Sequence, residues 1–474
     1  MGKNSPDGWS SGFLAERLNI LQFSTADDGG GAEKLACNLF QKYRSRGHHS
    51  WLAVGNKHGN DPDVFLLPND TCRNQWARSW ISIANIFSPM MGKVWGAKQL
   101  RYWLPWIGQP RRILEILQGQ EDFDFPATQQ ILNLFPEQPD IIHCHNLHGG
   151  YFDLRFLSRL SHQIPVILSL HDAWLLSGHC AHSFDCERWK TGCGECPDLA
   201  IYPAVPRDAT NYNWQRKKEI YSQSRLYVTT ACQWLMRKVE ESILASGVVE
   251  SRIIPYGVDP SIFHPDNRRM VRSMLSIPQE YKVLLFVGHG VRKNIWKDYR
   301  AMKAAMDQVA RHLEGEKILF IALGEEAPEE KMGQIVIRFV PSRQSREDLA
   351  RYYQAADIYI HAARVDTFPM VILEALACGT PVIATAVGGI PEQVKSLGRD
   401  YGIQEATGML VPPFDAEEMA RAIELLLCDD VLRLQLGKNA AEDAKKRFDL
   451  NRQVDDYLSW YQELIRTSCE SSRQ

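Results

Sequence analysis

Two carboxylates, Asp366 and Glu374, stand eight residues apart in the second half of the chain. The glycine pair Gly388–Gly389 follows. A nucleoside diphosphate calls for these residue types. Glycine lets a ligand approach the backbone, and an acid accepts from a ribose diol. Earlier in the chain lie His143, His145, His148 and His171 with Asp172. His143 and His145 alternate, so on a strand they share one face, and with His148 they invite a metal reading. A third group is Cys180, Cys186, Cys193 and Cys196, four thiols within seventeen residues in the pattern C-x5-C-x6-C-x2-C. The last pair has the spacing of a zinc knuckle. One reading is a structural zinc held by four thiolates. The other is buried free thiols or a disulfide pair. A closed four-thiolate site leaves no open position, so such an ion would clamp the loop beside His171 and take no part in catalysis.

The elements that must position these groups follow from apolar runs. Residues 357–363 and 381–386 are short apolar runs that predict buried strands. Between them 370–378 predicts a helix ended by Gly379, and after Gly389 a second helix starts with Pro391 in its first turn. In an open parallel sheet both loops fall at the carboxyl ends of strands, where ligands bind, and both helix N-termini offer bare N–H groups to a diphosphate. Residues 18–24 predict the first strand. Gly29, Gly30 and Gly31 follow and open a helix whose Ala32, Leu35, Leu39 and Tyr43 are helically spaced. That glycine run also reads as a plain tight turn. Residues 139–143, 165–170, 226–230, 282–287, 317–323 and 335–340 predict further strands, and 415–447 and 451–466 predict helices.

The 474 residues suit two domains with full cores. A net charge of −3 asks for no nucleic-acid partner. No run of eighteen apolar residues exists, which excludes a membrane-spanning helix, and residues 1–16 lack the apolar core of a secretory signal and read as a flexible leader. Residues 71–114 hold six tryptophans and tyrosines (Trp76, Trp80, Trp95, Tyr102, Trp103, Trp106), seven basic residues and no acid. Such a segment suits contact with an anionic membrane surface, or a helical hairpin whose tryptophans fill a core.

The stretch 355–394, with its acid-x7-Glu spacing followed by ACGTPVIAT and GGIPE, resembles the signature of the retaining glycosyltransferases of family 4. The resemblance runs thinly over nearly the whole chain through GGAE, HCHN, LSLHD and YGVD. It implies an α/β fold of two Rossmann-like domains facing a central cleft (GT-B), with a C-terminal helix crossing back to the first domain. The implied division is 17–258 for acceptor, 259–450 for nucleotide sugar and 451–474 for the crossing helix and tail, with basic aromatic and Cys-rich inserts at 71–114 and 178–198. It implies that Arg292 and Lys297 grip the diphosphate, Asp366 the donor sugar and Glu374 the ribose, and that His171 hydrogen-bonds that sugar. Phe339 and Val340 would meet the nucleobase. Gly30, Gly31, Phe368, Pro369, Met370, Val371, Gly388 and Gly389 would line the donor site, and His145 and Asn146 the acceptor. Departures are Asp366 where Glu is usual, Tyr256 where Asn is usual, Asp298 where Gly is usual, and Gly288-His289 where Gly-Arg is usual, which leaves Arg292 in competition with His289 and Lys293.

The expected activity is transfer of a sugar from a UDP- or GDP-sugar to a glycan or polyprenyl-linked glycan, with anomeric retention and no metal required for catalysis. The setting would be surface polysaccharide assembly, at the cytoplasmic side of a membrane. The competing functions are a nucleotide-sugar epimerase or phosphorylase on the same scaffold, and a non-catalytic binding module.

Overall fold

A computed structural model describes residues 17–471 apart from Gly92 and Gln344. The leader expected over residues 1–16 lies outside the described residues. Two sheets carry the chain. The first contains β1 (Asn19–Ala26), β2 (His49–Asn56), β3 (Val64–Leu66), β4 (Ile141–Cys144), β5 (Val166–Leu170), β6 (Leu226–Thr230) and β7 (Val248–Ile253), in the order β3-β2-β1-β4-β5-β6-β7. The second contains β8 (Lys282–Val287), β9 (Ile318–Leu323), β10 (Glu330–Met332), β11 (Ile335–Val340), β12 (Ile358–His361), β13 (Val382–Thr385) and β14 (Gly408–Val411), in the order β10-β11-β9-β8-β12-β13-β14. Every pairing is parallel except β10 with β11. Parallel strands are covered by helices on both faces, which is why β5 and β9 are apolar and buried along nearly their whole length.

Strand order reverses between β1 and β4 in the first sheet and between β8 and β12 in the second. These are the switch points at which crevices open beyond the strands' carboxyl ends. The loops leaving β1, β4, β8 and β12 carry the glycines 29–31, His145, Lys297 and Asp366 respectively.

The helix Leu450–Ser471 packs on the first sheet, although its sequence follows the second domain. Tyr461 donates to His143 Nδ1 at 2.7 Å, the Tyr457 hydroxyl lies 3.0 Å from Ser169 Oγ, and Gln453 Oε1 accepts from Gly257 N at 2.8 Å. Val454, Trp460 and Tyr461 are fully buried, each contributing about 1.5–3 kcal/mol. This helix reaches Ser471, past the end at 466 expected from the sequence. Residues 415–447 form two helices, because the Asp429 side chain accepts from Leu432 N at 2.8 Å and restarts the chain as a new helix.

Candidate active site

On the first domain, the middle of β1 and the ends of β4 and β5 place Gln22, His145 and His171 in one row. Gln22 Oε1 lies 3.1 Å from His145 Nε2, His145 Nδ1 lies 3.0 Å from His171 Nε2, and His171 Nδ1 lies 2.6 Å from the Tyr256 hydroxyl. The two imidazoles stack at 5.3 Å and 9°. With the Gln22 oxygen facing His145 and both rings neutral, only one pattern satisfies every bond. His145 Nε2–H donates to Gln22, His171 Nε2–H donates to His145, and Tyr256 O–H donates to His171. Burial is the main cause that holds both imidazole pKa values below their ordinary value, that of His171 at about 4.

Two expectations change here. His171 spends both ring nitrogens inside the protein, so neither is open to a donor sugar in this arrangement. His145 is 2% exposed and braces His171, with both ring nitrogens engaged inside the protein. Asn146 beside it is half-buried, and its carbonyl accepts from Tyr151 at 2.8 Å. The histidines do not share a metal site either. His143 is bonded to Ser169 and Tyr461, and His148 donates to Asp172 at 2.7 Å.

On the second domain, Lys297 donates to Asp366 Oδ2 at 2.6 Å and to His361 Nε2 at 2.9 Å. Backbone bonds fix this contact. Lys297 bridges to Ala363, and Asp298 N donates to the Ala362 carbonyl at 3.0 Å. Asp298, where the family has glycine, caps the next helix by accepting from Ala301 N at 3.0 Å. Burial pushes the Asp366 carboxyl up, but Lys297 and His361 outweigh it and hold it well below the carboxylate range. Glu374 lies on the helix Met370–Ala377 and accepts from the Tyr353 hydroxyl at 2.9 Å. Burial raises its pKa, against the pull of Tyr353 and of the Arg346 and Lys34 cations. The helix begins at the end of the Asp366 loop after Pro369, with Phe368 buried and Met370 and Val371 half-buried.

Arg292 is not part of this cluster. Its guanidinium pairs with Glu325 at 2.6 Å and Glu330 at 3.5 Å and lies over the Phe339 ring at 4.9 Å. Neighbouring Val340 uses its carbonyl to accept from Gly324 N at 2.7 Å. Gly388 and Gly389 also have a packing role. A Cβ on Gly388 (φ +57) would stand 1.8 Å from the Asp366 carbonyl, and one on Gly389 would stand 2.4 Å from that of Thr367. Gly389 N already donates to Thr367 O at 2.9 Å, and the helix behind it, Ile390–Gln393, is a single turn. These glycines hold the Asp366 loop, and the helix they open is only one turn long. Gly30 and Gly31 are exposed at the mouth of the crevice, where Glu33 folds back on Gly30.

The domains touch beside this cluster. Glu392 accepts from Gln233 N at 2.7 Å and Trp234 N at 2.8 Å, capping a helix of the first domain from the second. Phe184, in the Cys-rich loop, stacks on Trp296 at 5.4 Å and 11°, one residue before Lys297. Cys180, Cys186, Cys193 and Cys196 line one cavity of about 30 Å³. Cys196 Sγ lies 3.4 Å from His179 Nε2 and Cys193 Sγ accepts from Gly178 N at 3.3 Å. Burial pushes Cys180 up to about 11 and Cys193 to about 12. Among the described residues no three Cys, His, Asp or Glu side chains form a ready metal-binding group, so an ion here would require the thiols to turn inward. A second cavity of about 290 Å³ is walled by His148, Trp174, Phe123, Phe125, Phe152 and Tyr202.

Comparison with known proteins agrees with this architecture. A family model described as Glycosyltransferase Family 4 matches residues 29–262, and one described as Glycosyl transferases group 1 matches 267–443. The chain is 25% identical to the putative colanic acid biosynthesis glycosyl transferase WcaC of Escherichia coli, over 69% of this chain and 77% of that one. It is 32% identical to the D-inositol 3-phosphate glycosyltransferase of Saccharomonospora viridis over 45% of this chain, spanning half of that relative's length. The Anabaena protein HepE, solved in complex with UDP-glucose, shares the fold with a TM-score of 0.57 at 16% identity, covering 94% of this chain and 100% of that one. The two family models run through both sheets and the cleft between them, and the chain belongs to the family 4 glycosyltransferases with the GT-B fold.

Proposed function

We propose that this glycosyltransferase moves a sugar from a nucleoside diphosphate sugar to a glycan acceptor, with retention of anomeric configuration. The observation that carries this reading is the Lys297–Asp366–His361 cluster at the carboxyl ends of β8 and β12, with Glu374 one turn into the helix that follows. Lys297 and the N-terminus of the helix Met370–Ala377 offset charge on the leaving diphosphate, where fixed cations and dipoles act best because water is excluded. Glu374 accepts from the ribose, and Asp366 from hydroxyls of the transferred sugar. Asp366 is tied to Lys297 and is no free nucleophile, which favours attack from the leaving-group side, the departing phosphate taking the acceptor proton. HepE takes UDP-glucose and WcaC is named for colanic acid synthesis, so a uridine donor and a polysaccharide setting are tested first. The experiment is to incubate the protein with UDP- and GDP-sugars and an acceptor and to read the product anomer by NMR. Retention with nucleotide release supports the reading. Inversion, or conversion of the nucleotide sugar without an acceptor, overturns it.

The acceptor in this reading is presented at a membrane. The helices Gln75–Ile86, Ala97–Ile107 and Pro110–Leu117 bury only Ala77, Ile81, Ala84 and Ala97, while Trp76, Trp95, Tyr102 and Trp103 are 59%, 97%, 61% and 62% exposed. Trp76, Trp95 and Trp103 thus face outward, while Trp80 and Trp106 are half-buried. Arg78, Lys93, Lys98 and Arg101 join no ion pair among the described residues. Rings at headgroup depth with free cations fit an anionic bilayer, at about 1 kcal/mol per cation. No described helix is long and apolar enough to cross a membrane. Sedimentation with phosphatidylglycerol vesicles, lost in Trp95→Ser/Trp103→Ser, is the expected result, and equal binding by that variant contradicts it.

The occupant this reading assigns to the cysteine cavity is a structural zinc ion. Elemental analysis should find one zinc per chain, and a chelator should lower the Tm. Metal-free protein of undiminished stability would contradict it.

A further inference from the structure

The Cys-rich loop brings an unused hydrogen-bond donor to the cleft. His182 Nδ1 accepts from Phe184 N at 2.9 Å, so the ring proton sits on Nε2. That Nε2 atom is buried and has no partner. Its ring stacks on Trp234 at 5.7 Å and 17°, and its centroid is 6.5 Å from Trp296, the residue before Lys297. Trp234 belongs to the first domain and Trp296 to the second, so the ring lies where the two domains meet. Buried donors are normally paired, and one left open beside a ligand crevice is completed by the ligand.

We propose that His182 Nε2–H donates to an oxygen of the bound nucleoside diphosphate sugar, making the Cys-rich loop part of the donor site. The proposal rests on the reading that this cleft takes such a donor. The stack of Phe184 on Trp296 then ties the loop that carries His182 to the loop that carries Lys297, so one ligand engages both domains. The recognised oxygen belongs either to the diphosphate or to a hydroxyl of the transferred sugar.

Titration calorimetry with UDP, GDP, UDP-glucose and GDP-mannose tests this in the full-length protein. His182→Ala should weaken binding by roughly ten-fold, the effect of one hydrogen bond to a polar or charged partner. Loss towards nucleotide and sugar nucleotide alike assigns the diphosphate, and loss towards the sugar nucleotide alone assigns the sugar. His182→Asn keeps an acceptor for Phe184 N but not the distant donor, and should bind as weakly as the alanine variant. His182→Gln restores the reach and should recover most of the affinity. Alanine binding as tightly as wild type overturns the proposal and leaves the donor reading intact. Asparagine restoring full affinity also overturns it, because the Phe184 bond would then be the whole role. Wild-type protein that binds none of the four overturns the donor reading itself.

Discussion

The Tyr256 hydroxyl meets His171 Nδ1 at 2.6 Å, and the ring behind it stands edge-on to Phe368 at 5.5 Å and 85°. Tyr256 lies in the crossing between domains, His171 ends β5 of the first sheet, and Phe368 belongs to the Asp366 loop of the second. One side chain therefore fixes the tautomer of a cleft histidine and touches the loop that carries the carboxylate. Tyr256→Phe keeps the ring contact and removes the donor. It leaves a buried imidazole nitrogen unpaired, which costs about 1–3 kcal/mol. The expected result is a Tm lowered by a few degrees, with a changed ¹⁵N signature of His171 and reduced turnover. An unchanged Tm and spectrum would show that Tyr256 does not set the tautomer.

The buried imidazoles make stability depend on pH. Burial lowers His171 and His361 to about 4 and His143 to about 3, from an ordinary value near 6.5. Between roughly pH 6.5 and 4 the unfolded chain binds protons at these positions and the folded chain does not. Stability is therefore full above that window and is lost as pH falls through it. The Tm should decline steadily below about pH 6.5, with proton uptake on unfolding. Asp366, held low by Lys297, adds a loss only at still lower pH. A flat Tm from pH 7 to 5 would contradict the neutral imidazole row.

Lys297 and Asp366 should behave as one unit. Lys297→Met leaves Asp366 with its burial and without its main counter-charge, at a cost of about 2 kcal/mol for this partly exposed pair. Adding Asp366→Asn to that variant should return part of the lost stability and none of the activity. A double-mutant cycle on Tm and on turnover measures both. Additive stability effects would mean that the two charges do not interact.

Much of this site was readable before the structure, because its signals are local. The spacing of Asp366 and Glu374 encodes a loop and the first turns of a helix, and the strand runs around them are short, apolar and bounded by glycine. Lys297 was legible from the helix that follows it. What escaped was assembled across the chain. Gln22, His145, His171 and Tyr256 span four separate segments, and no spacing rule relates them. Glu392 caps a helix of the other domain, which a single-sequence capping pattern does not reveal. His361 reads as one residue of a buried strand until Lys297 folds onto it. Arg292 was misplaced for the same reason, since Glu325 and Glu330, which claim it, lie beyond the next strand. Glycines 388 and 389 were readable as a turn into a helix, but their packing against the Asp366 loop was not, because that loop is distant in sequence. Asp298 and Tyr256, which depart from the family pattern, turned out to be a helix cap and a tautomer lock.

In the proposed function the cleft between the two sheets binds a nucleoside diphosphate through Lys297 and Glu374. The most direct test is thermal unfolding with UDP, GDP, ADP and CMP, on wild type and on Glu374→Ala. At one hundred times the Kd a ligand of the folded state adds about 2.7 kcal/mol. The account predicts a raised Tm with one diphosphate in the wild type, little or no rise in a folded Glu374→Ala variant, and loss of transfer in that variant. No rise with any nucleotide, or an equal rise in the variant, would contradict it.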